Sequence, residues 1–359
     1  MPPWNRREFV ALGVGTLTAA ITQESEGATA SHSKIRAAVV GIGHAHAAGK
    51  TKVLRDSPDF ELVGVCEPNE ELRRQQAEEP AYQGVRWLSI REVLDDPSVQ
   101  LIVVESRVQE NLAYARQAIE AGKHIHLDKP PGNDLETLRS LLSEAERRQL
   151  AVQMGYMWRY HPGAQAAIEA ARKGWLGEVY LFRGIISWGS DITPAARKAL
   201  ALFPGGLMFE LGCHLIDRMV DLLGRPSKVS PFLRHDGSHR DGLADNALAV
   251  FEYDRVLAEI YSSALQPFGG SHRLLQIQGT NGTVTLQPIE PPSFVIDLKA
   301  AAGPYRAGRQ KVEIDSKPRY VEDFQEMAQV IRKQRSASFS SKHDLMVQET
   351  LLRSCGVLT

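Results

Sequence analysis

The sequence predicts an α/β protein in two parts: a parallel sheet covered by helices on both faces, then an α+β part with a mostly antiparallel sheet. Three observations carry this. From Lys34 onward, near-continuous apolar runs of strand length alternate with helical patterns, the mark of a parallel sheet buried on both faces. After "GYMWRYHPG" the rhythm changes, and runs of strands follow a long amphipathic helix. At 359 residues, the chain also exceeds what one simple core accommodates. The expected segments are 1–30, 34–156 and 157–359.

The first thirty residues read as a targeting segment. "NRREFVALGVGTLTAAI" sets Arg6 and Arg7 before an uncharged apolar run, and "ATA" at 28–30 supplies the small residues a signal peptidase needs. Arg6-Arg7 followed by Phe9 is similar to a twin-arginine export signal. The run is too short for a permanent membrane span. The expectation is a periplasmic mature protein starting near Ser31. A net charge of −1 with interspersed charges offers no field for nucleic acid or an anionic membrane. Cys66, Cys213 and Cys355 are odd in number and far apart, so neither a disulfide framework nor a cysteine metal cluster is implied.

In the first half, "IRAAVVG", "FELVGVC", "VQLIVVE", "KHIHLDK" and "LAVQMGY" read as strands. Helical patterns separate them, including "ENLAYARQAIEAG", where Gly122 marks a C-cap. Connections of this length cross over right-handedly, which favours the doubly wound, dinucleotide-binding Rossmann topology. The loop "GIGHAHAAGK" fits that reading: Gly41 and Gly43 lie between a strand and a helix, where a pyrophosphate meets the helix N-terminus. Ile42, His44 and His46 complete the loop, with His46 at the place of a third glycine. Glu67 ends the second strand near the spacing of an acid that binds ribose hydroxyls, and its charge favours NAD(H) over NADP(H). Arg73 and Arg74 leave NADP(H) open. His44 and His46 have no carboxylate or cysteine within the loop to complete a ligand set, so no metal is expected.

In the second half a helix, "AQAAIEAARKG", leads to the strand "EVYLFRGIISWG" and a loop-like stretch over 190–205. "GGLMFELGCHLIDRMVDLLG" is a strong amphipathic helix ended by Gly224. Strands follow, with a hairpin turn at Asn281-Gly282, and two helices close the chain.

Two motifs carry the chemistry. "HLDKPPG" places Lys129 at a strand end, where ligands bind in this topology, between Asp128 and a backbone stiffened by Pro130 and Pro131. "FELGCHLIDRM" puts Glu210, His214 and Asp217 along one helix face, a polar stripe at a packed boundary.

Together "GIG", "GKHIHLDKP", "GGLMFELGCHLID" and "HDLMVQETLLRSCG" make the chain from Lys34 onward similar to the Gfo/Idh/MocA family of sugar and polyol oxidoreductases. Its Glu-Lys-Pro motif corresponds to Asp128-Lys129-Pro130, and its Asp-x-x-x-His pair to Glu210 and His214. The resemblance implies hydride transfer between a hydroxyl-bearing carbon and nicotinamide. His214 would take the hydroxyl proton, Lys129 would stabilise the developing alkoxide, and Glu210 would orient His214 or bind a neighbouring hydroxyl. In "ESRVQEN", Ser106 and Asn111 occupy the loop that lines the nicotinamide ribose in relatives, and Asp128 and Lys129 would also meet the cofactor. Trp158, Arg159, Tyr160 and His161 would border the substrate, with Trp188 as a further aromatic. Relatives often pair through the open face of the second sheet, so a homo-oligomer is expected.

Export shapes the choice of function, because a periplasm is not expected to hold a free NAD pool. A tightly held NAD cycled between substrates meets that constraint. A redox-neutral, NAD-dependent glycoside hydrolysis also meets it, with Tyr160, His161 or Asp191 as an additional base. A non-catalytic sugar- or cofactor-binding protein is the reading from another class, and the joint presence of Lys129 and His214 counts against it.

Overall fold

Strand by strand, the apolar runs become a sheet whose central strands are buried on both faces. In the computed structural model, which describes residues 33–189 and 192–358, β1 (Ile35–Val40), β2 (Phe60–Cys66), β3 (Leu101–Val104), β4 (His124–Leu127) and β5 (Val152–Met154) form a parallel sheet. Arg6, Arg7 and the rest of the expected export signal lie outside the described residues, as does Asp191. The order is β2-β1-β3-β4-β5, which reverses direction between β1 and β3. That reversal opens a crevice beyond the strand C-termini. Trp87 adds a single parallel bridge to Val65 outside β2, a sheet-edge element that no strand pattern announced. Val39, Val40, Val103, Val104 and Leu127 are fully buried, as the continuous apolar runs require.

The second sheet comprises β6 (Val179–Ile185), β7 (Lys228–Arg234), β8 (Asn246–Glu252), β9 (Leu257–Ser263), β10 (Leu274–Gly279), β11 (Gly282–Leu286), β12 (Phe294–Leu298) and β13 (Gly308–Val312). Its order is β13-β12-β11-β10-β6-β9-β8-β7, and all pairs are antiparallel except β6 with β9. Along β8 and β9, buried Ala249, Phe251, Ala258 and Ile260 alternate with half-buried neighbours, so only one face is covered. The helix Cys213–Leu223 lies on that face. Gly184 of β6 admits Leu215 there, since a Cβ would sit 2.8 Å from the leucine Cδ1.

Three local expectations change. The stretch after residue 190 contains the helix Pro194–Leu200, capped by the Thr193 hydroxyl, so it is not wholly loop. The hairpin turn is centred on Thr280-Asn281, and Gly282 already begins β11. The expected single amphipathic helix opens with a π-helical turn, Met208–Gly212, before the regular helix from Cys213. Such turns re-aim side chains and are frequent at functional sites.

Candidate active site

The loop after β1 fits a dinucleotide. Gly41 has φ +83°, and a Cβ there would lie 2.4 Å from the Ser106 Cα, so the β1 and β3 ends touch backbone to backbone. Gly43 and Ala45 are exposed on the rim, leaving the loop backbone open to a pyrophosphate. Glu67 accepts from the Ile42 N–H at 2.8 Å and from the Asn69 N–H at 2.8 Å, which fixes the acid at the β2 end. Arg73 and Arg74 are exposed on the following helix and do not decide between NAD and NADP.

His46 turns inward. Its Nδ1 lies 3.1 Å from Asp128 Oδ1, and its ring centroid is 5.5 Å from that of Tyr320. Gly49, on the helix that follows, admits the Tyr320 ring, which a Cβ there would meet at 2.8 Å. His44 joins the two chemical motifs: its Nδ1 pairs with Asp128, and its Nε2 lies 3.0 Å from Glu210 Oε1. Lys50, one turn further on, donates to Asp128 at 2.7 Å and to Glu105 at 2.6 Å, all three being fully buried. Neither Lys50 nor Glu105 was singled out by sequence reasoning. The only advance signal was a lysine inside an otherwise packed helix turn.

Lys129 donates to the Glu210 carboxylate at 2.8 Å and to its backbone carbonyl at 2.9 Å. The π-turn supplies both oxygens. Glu210 therefore holds Lys129 and His44 and makes no hydrogen bond to His214, so of the two expected roles the geometry leaves binding of a neighbouring hydroxyl. His214 is buried, and neither ring nitrogen has a hydrogen-bond partner among the described residues. Its ring lies 5.2 Å from the Trp158 ring and 6.2 Å from that of His46. Asp217 departs from the expected boundary stripe: it is buried and binds Arg159, Arg218 and His343.

Several expected ligand contacts are corrected by burial. Asn111 accepts from the Ser106 hydroxyl at 2.7 Å and donates to the Pro130 carbonyl at 3.3 Å, so its amide ties the β3 end to the β4 end. Ser106 contributes its backbone, packed against Gly41, and Asp128 lies under the crevice beneath Lys50 and the two histidines. Arg159 is withdrawn from substrate: it donates to Asp217 at 2.7 Å and Asp344 at 2.5 Å, between the Tyr156 and Phe339 rings. Trp158 is buried as a wall against His214. The Tyr160 hydroxyl accepts from Gln153 at 3.0 Å, and His161 Nδ1 accepts from the Ala164 N–H, capping a helix. Neither group is presented as the extra base that the hydrolytic reading needs.

The fold also supplies the carboxylate that the loop lacked. His44, His46 and Asp128 can offer donor atoms within 4.8 Å of one another. The ammonium of Lys50 on Asp128 and that of Lys129 on Glu210 already balance these acids, which disfavours a cation in the same place.

Charge states follow. Burial opposes a charge on His44, but Asp128 and Glu210 outweigh it and raise its pKa to about 9. Burial lowers His46 to about 3, and burial together with Lys129 holds His214 well below the usual histidine range. Burial opposes ionisation of Glu210, yet Lys129 and His44 bring it down to about 2. The site thus holds charged Lys129, ionised Glu210 and a neutral His214.

The raised His44 value links pH to stability. Its contribution is complete below the unfolded value of 6.5 and is lost as pH rises through about 9. Thermal unfolding measured across that window is expected to show a falling Tm, and His44→Gln is expected to fall less steeply. Parallel pH profiles for the two proteins would remove His44 from the account.

A parallel sheet with its switch-point loop, joined to a second part whose π-turn and helix bring an acid and a histidine to a strand-end lysine, defines a dinucleotide-dependent oxidoreductase fold. The chain belongs to the Gfo/Idh/MocA family: the sequence model of the oxidoreductase family with an NAD-binding Rossmann fold matches residues 35–156, and the GFO/IDH/MocA C-terminal domain matches 164–285. Among curated proteins, the uncharacterized oxidoreductase YhhX of Escherichia coli is 30% identical over 43% of this chain and 44% of its own length. The scyllo-inositol 2-dehydrogenase (NAD(+)) of Bacillus subtilis is 24% identical over 70% of this chain and 73% of its own. The match thus spans less than half of the first of these. GenD2 from gentamicin A biosynthesis, solved in complex with NAD, superposes with a TM-score of 0.75 at 22% identity, covering 91% of this chain and 95% of that one, and it shows the shared fold.

Proposed function

We propose that this protein oxidises a hydroxyl of a sugar or polyol, with NAD(H) favoured as a tightly held cofactor. One observation carries the reading: a buried, neutral His214 with both ring nitrogens unpartnered stands in the same crevice as the Lys129–Glu210 pair. A neutral imidazole is the form a proton acceptor must have, although burial beside Lys129 lowers its basicity. Lys129 stabilises the oxygen as negative charge develops on it. Glu210 keeps the ammonium in place, and His44 braces Glu210 from the loop side. A dinucleotide held at its pyrophosphate by loop 41–45 would supply the hydride acceptor, so that the proton and the electron pair would part to different groups. The scyllo-inositol dehydrogenase relative supports a polyhydroxylated substrate.

The test is to purify the protein, denature a portion and assay for released NAD(H), then add sugars and polyols to the remainder and follow reduction of the cofactor. His214→Ala is expected to lose turnover while keeping its cofactor content. Absence of both bound and titratable nicotinamide would overturn the reading.

We also propose export and self-association. Arg6-Arg7 ahead of the apolar run supports the first, and Arg6→Lys with Arg7→Lys is expected to strand the protein in the cytoplasm. The uncovered sheet with exposed Phe232 and Leu257 supports the second, and light scattering of the purified protein reads it directly.

A further inference from the structure

Arg273 is the charged group that the proposed mechanism leaves unused. It stands between the short turn Gly269–His272 and β10. Its Nε is buried, and its side chain makes no hydrogen bond or ion pair among the described residues. Glu290 is the acid whose charge reaches it, and both Glu290 oxygens are taken by Arg319. A half-buried guanidinium with no bonded acid and an Nε shut off from water is a ready partner for an incoming anion.

Its surroundings define a receptor. Trp188, Phe268, Ser271 and Arg273 line a groove of about 690 Å³. Phe268 is 83% exposed and is held at φ +54°, a left-handed conformation uncommon for a bulky residue. Gly269 approaches the Trp188 carbonyl so closely that a Cβ would lie 2.2 Å from it, which fixes the two aromatic residues relative to each other. Arg273 lies near enough to His214 for its charge to disfavour protonation of that ring.

We propose that Arg273 is a specificity residue that binds the anionic group of the substrate, making the substrate a carbohydrate acid whose ring lies against Trp188 and Phe268. This rests on the oxidoreductase reading for the reaction but not for the binding. A guanidinium fork matches a planar carboxylate with two parallel hydrogen bonds, and aromatic faces suit the apolar side of a sugar ring. A phosphate would satisfy the same fork, so the experiment carries an arm for each anion.

The probes are D-glucuronate, D-galacturonate and D-glucose 6-phosphate, each set against its neutral parent sugar. Binding is measured by calorimetric titration of the NAD-loaded protein, with turnover followed separately. The expected result is that at least one acid binds about 100-fold more tightly than its parent, a difference of the size seen when a buried charged partner is satisfied. Arg273→Gln is expected to bring that ratio close to one, and Arg273→Lys to retain part of it. Thermal melts of both variants near the wild-type Tm show that folding is intact. Arg273-dependent binding of an acid supports the subsite even where no cofactor is reduced, and the tighter acid identifies the anion. Equal binding of acids and parents, or an acid preference untouched in Arg273→Gln, overturns it while leaving the oxidoreductase reading standing.

Discussion

Lys129→Met is expected to lower kcat by about 10²–10³, the usual consequence of removing one preorganised donor from a developing oxyanion. The substitution keeps the stem that packs beneath the crevice and removes only the ammonium. Glu210 then loses its 2.8 Å partner and keeps His44 alone. Binding of the dinucleotide, measured by fluorescence titration, is expected to change little, because the loop at Gly41 and the acid at Glu67 are untouched. Lys129→Arg is expected to recover only part of the rate, since the planar fork cannot occupy the point that both Glu210 oxygens define. A kcat within about threefold of wild type in Lys129→Met would remove this lysine from the reaction, because even a single oxyanion donor is normally worth far more.

The largest effect on stability is expected from Lys50→Met, at about 3–5 kcal/mol. Lys50 is fully buried between Asp128 and Glu105, and removing it leaves two acids in the interior with one fewer cation. Burial and the charge of Asp128 push Glu105 up to about 8, so it is already the acid more easily neutralised. Adding Glu105→Gln to Lys50→Met is therefore expected to restore part of the loss, a coupling that urea denaturation of the two single variants and the double variant measures. A cost below about 1 kcal/mol for Lys50→Met would place the pair among ion pairs that solvent screens.

Much of the scaffold was legible before any coordinates. Alternating apolar runs announced the parallel sheet, and Gly122, at φ +74°, ended its helix where a C-cap glycine was expected. Lys129 at its strand end and Glu210 with His214 on one helical stretch were legible as local features, while the contact of Lys129 with Glu210 is made across the fold. Errors gathered where a side chain's direction depends on a partner distant in sequence. Arg159 sits in an aromatic, hydrogen-bonding motif suited to a sugar, yet Asp217 and Asp344 draw it inward. Asn111 stands where relatives place a cofactor contact, yet its amide closes a gap between two strand ends. Glu210 was expected to orient His214 or to bind a substrate hydroxyl, and one π-helical turn aims it at Lys129 and His44.

The loop at 41–46 shows where the division falls. The sequence alone determined that two glycines follow β1 at the sheet's switch point, and the structure shows why the first must be one: Gly41 has φ +83° with backbone 2.4 Å from where a Cβ would sit. It could not say what His44 and His46 do. Their partner, Asp128, is more than eighty residues away, and only the parallel register of β1, β3 and β4 brings its carboxylate under the loop. Periodicity is a local property and fixed the scaffold; charge pairing in a buried crevice is not local, and tertiary packing alone decided it.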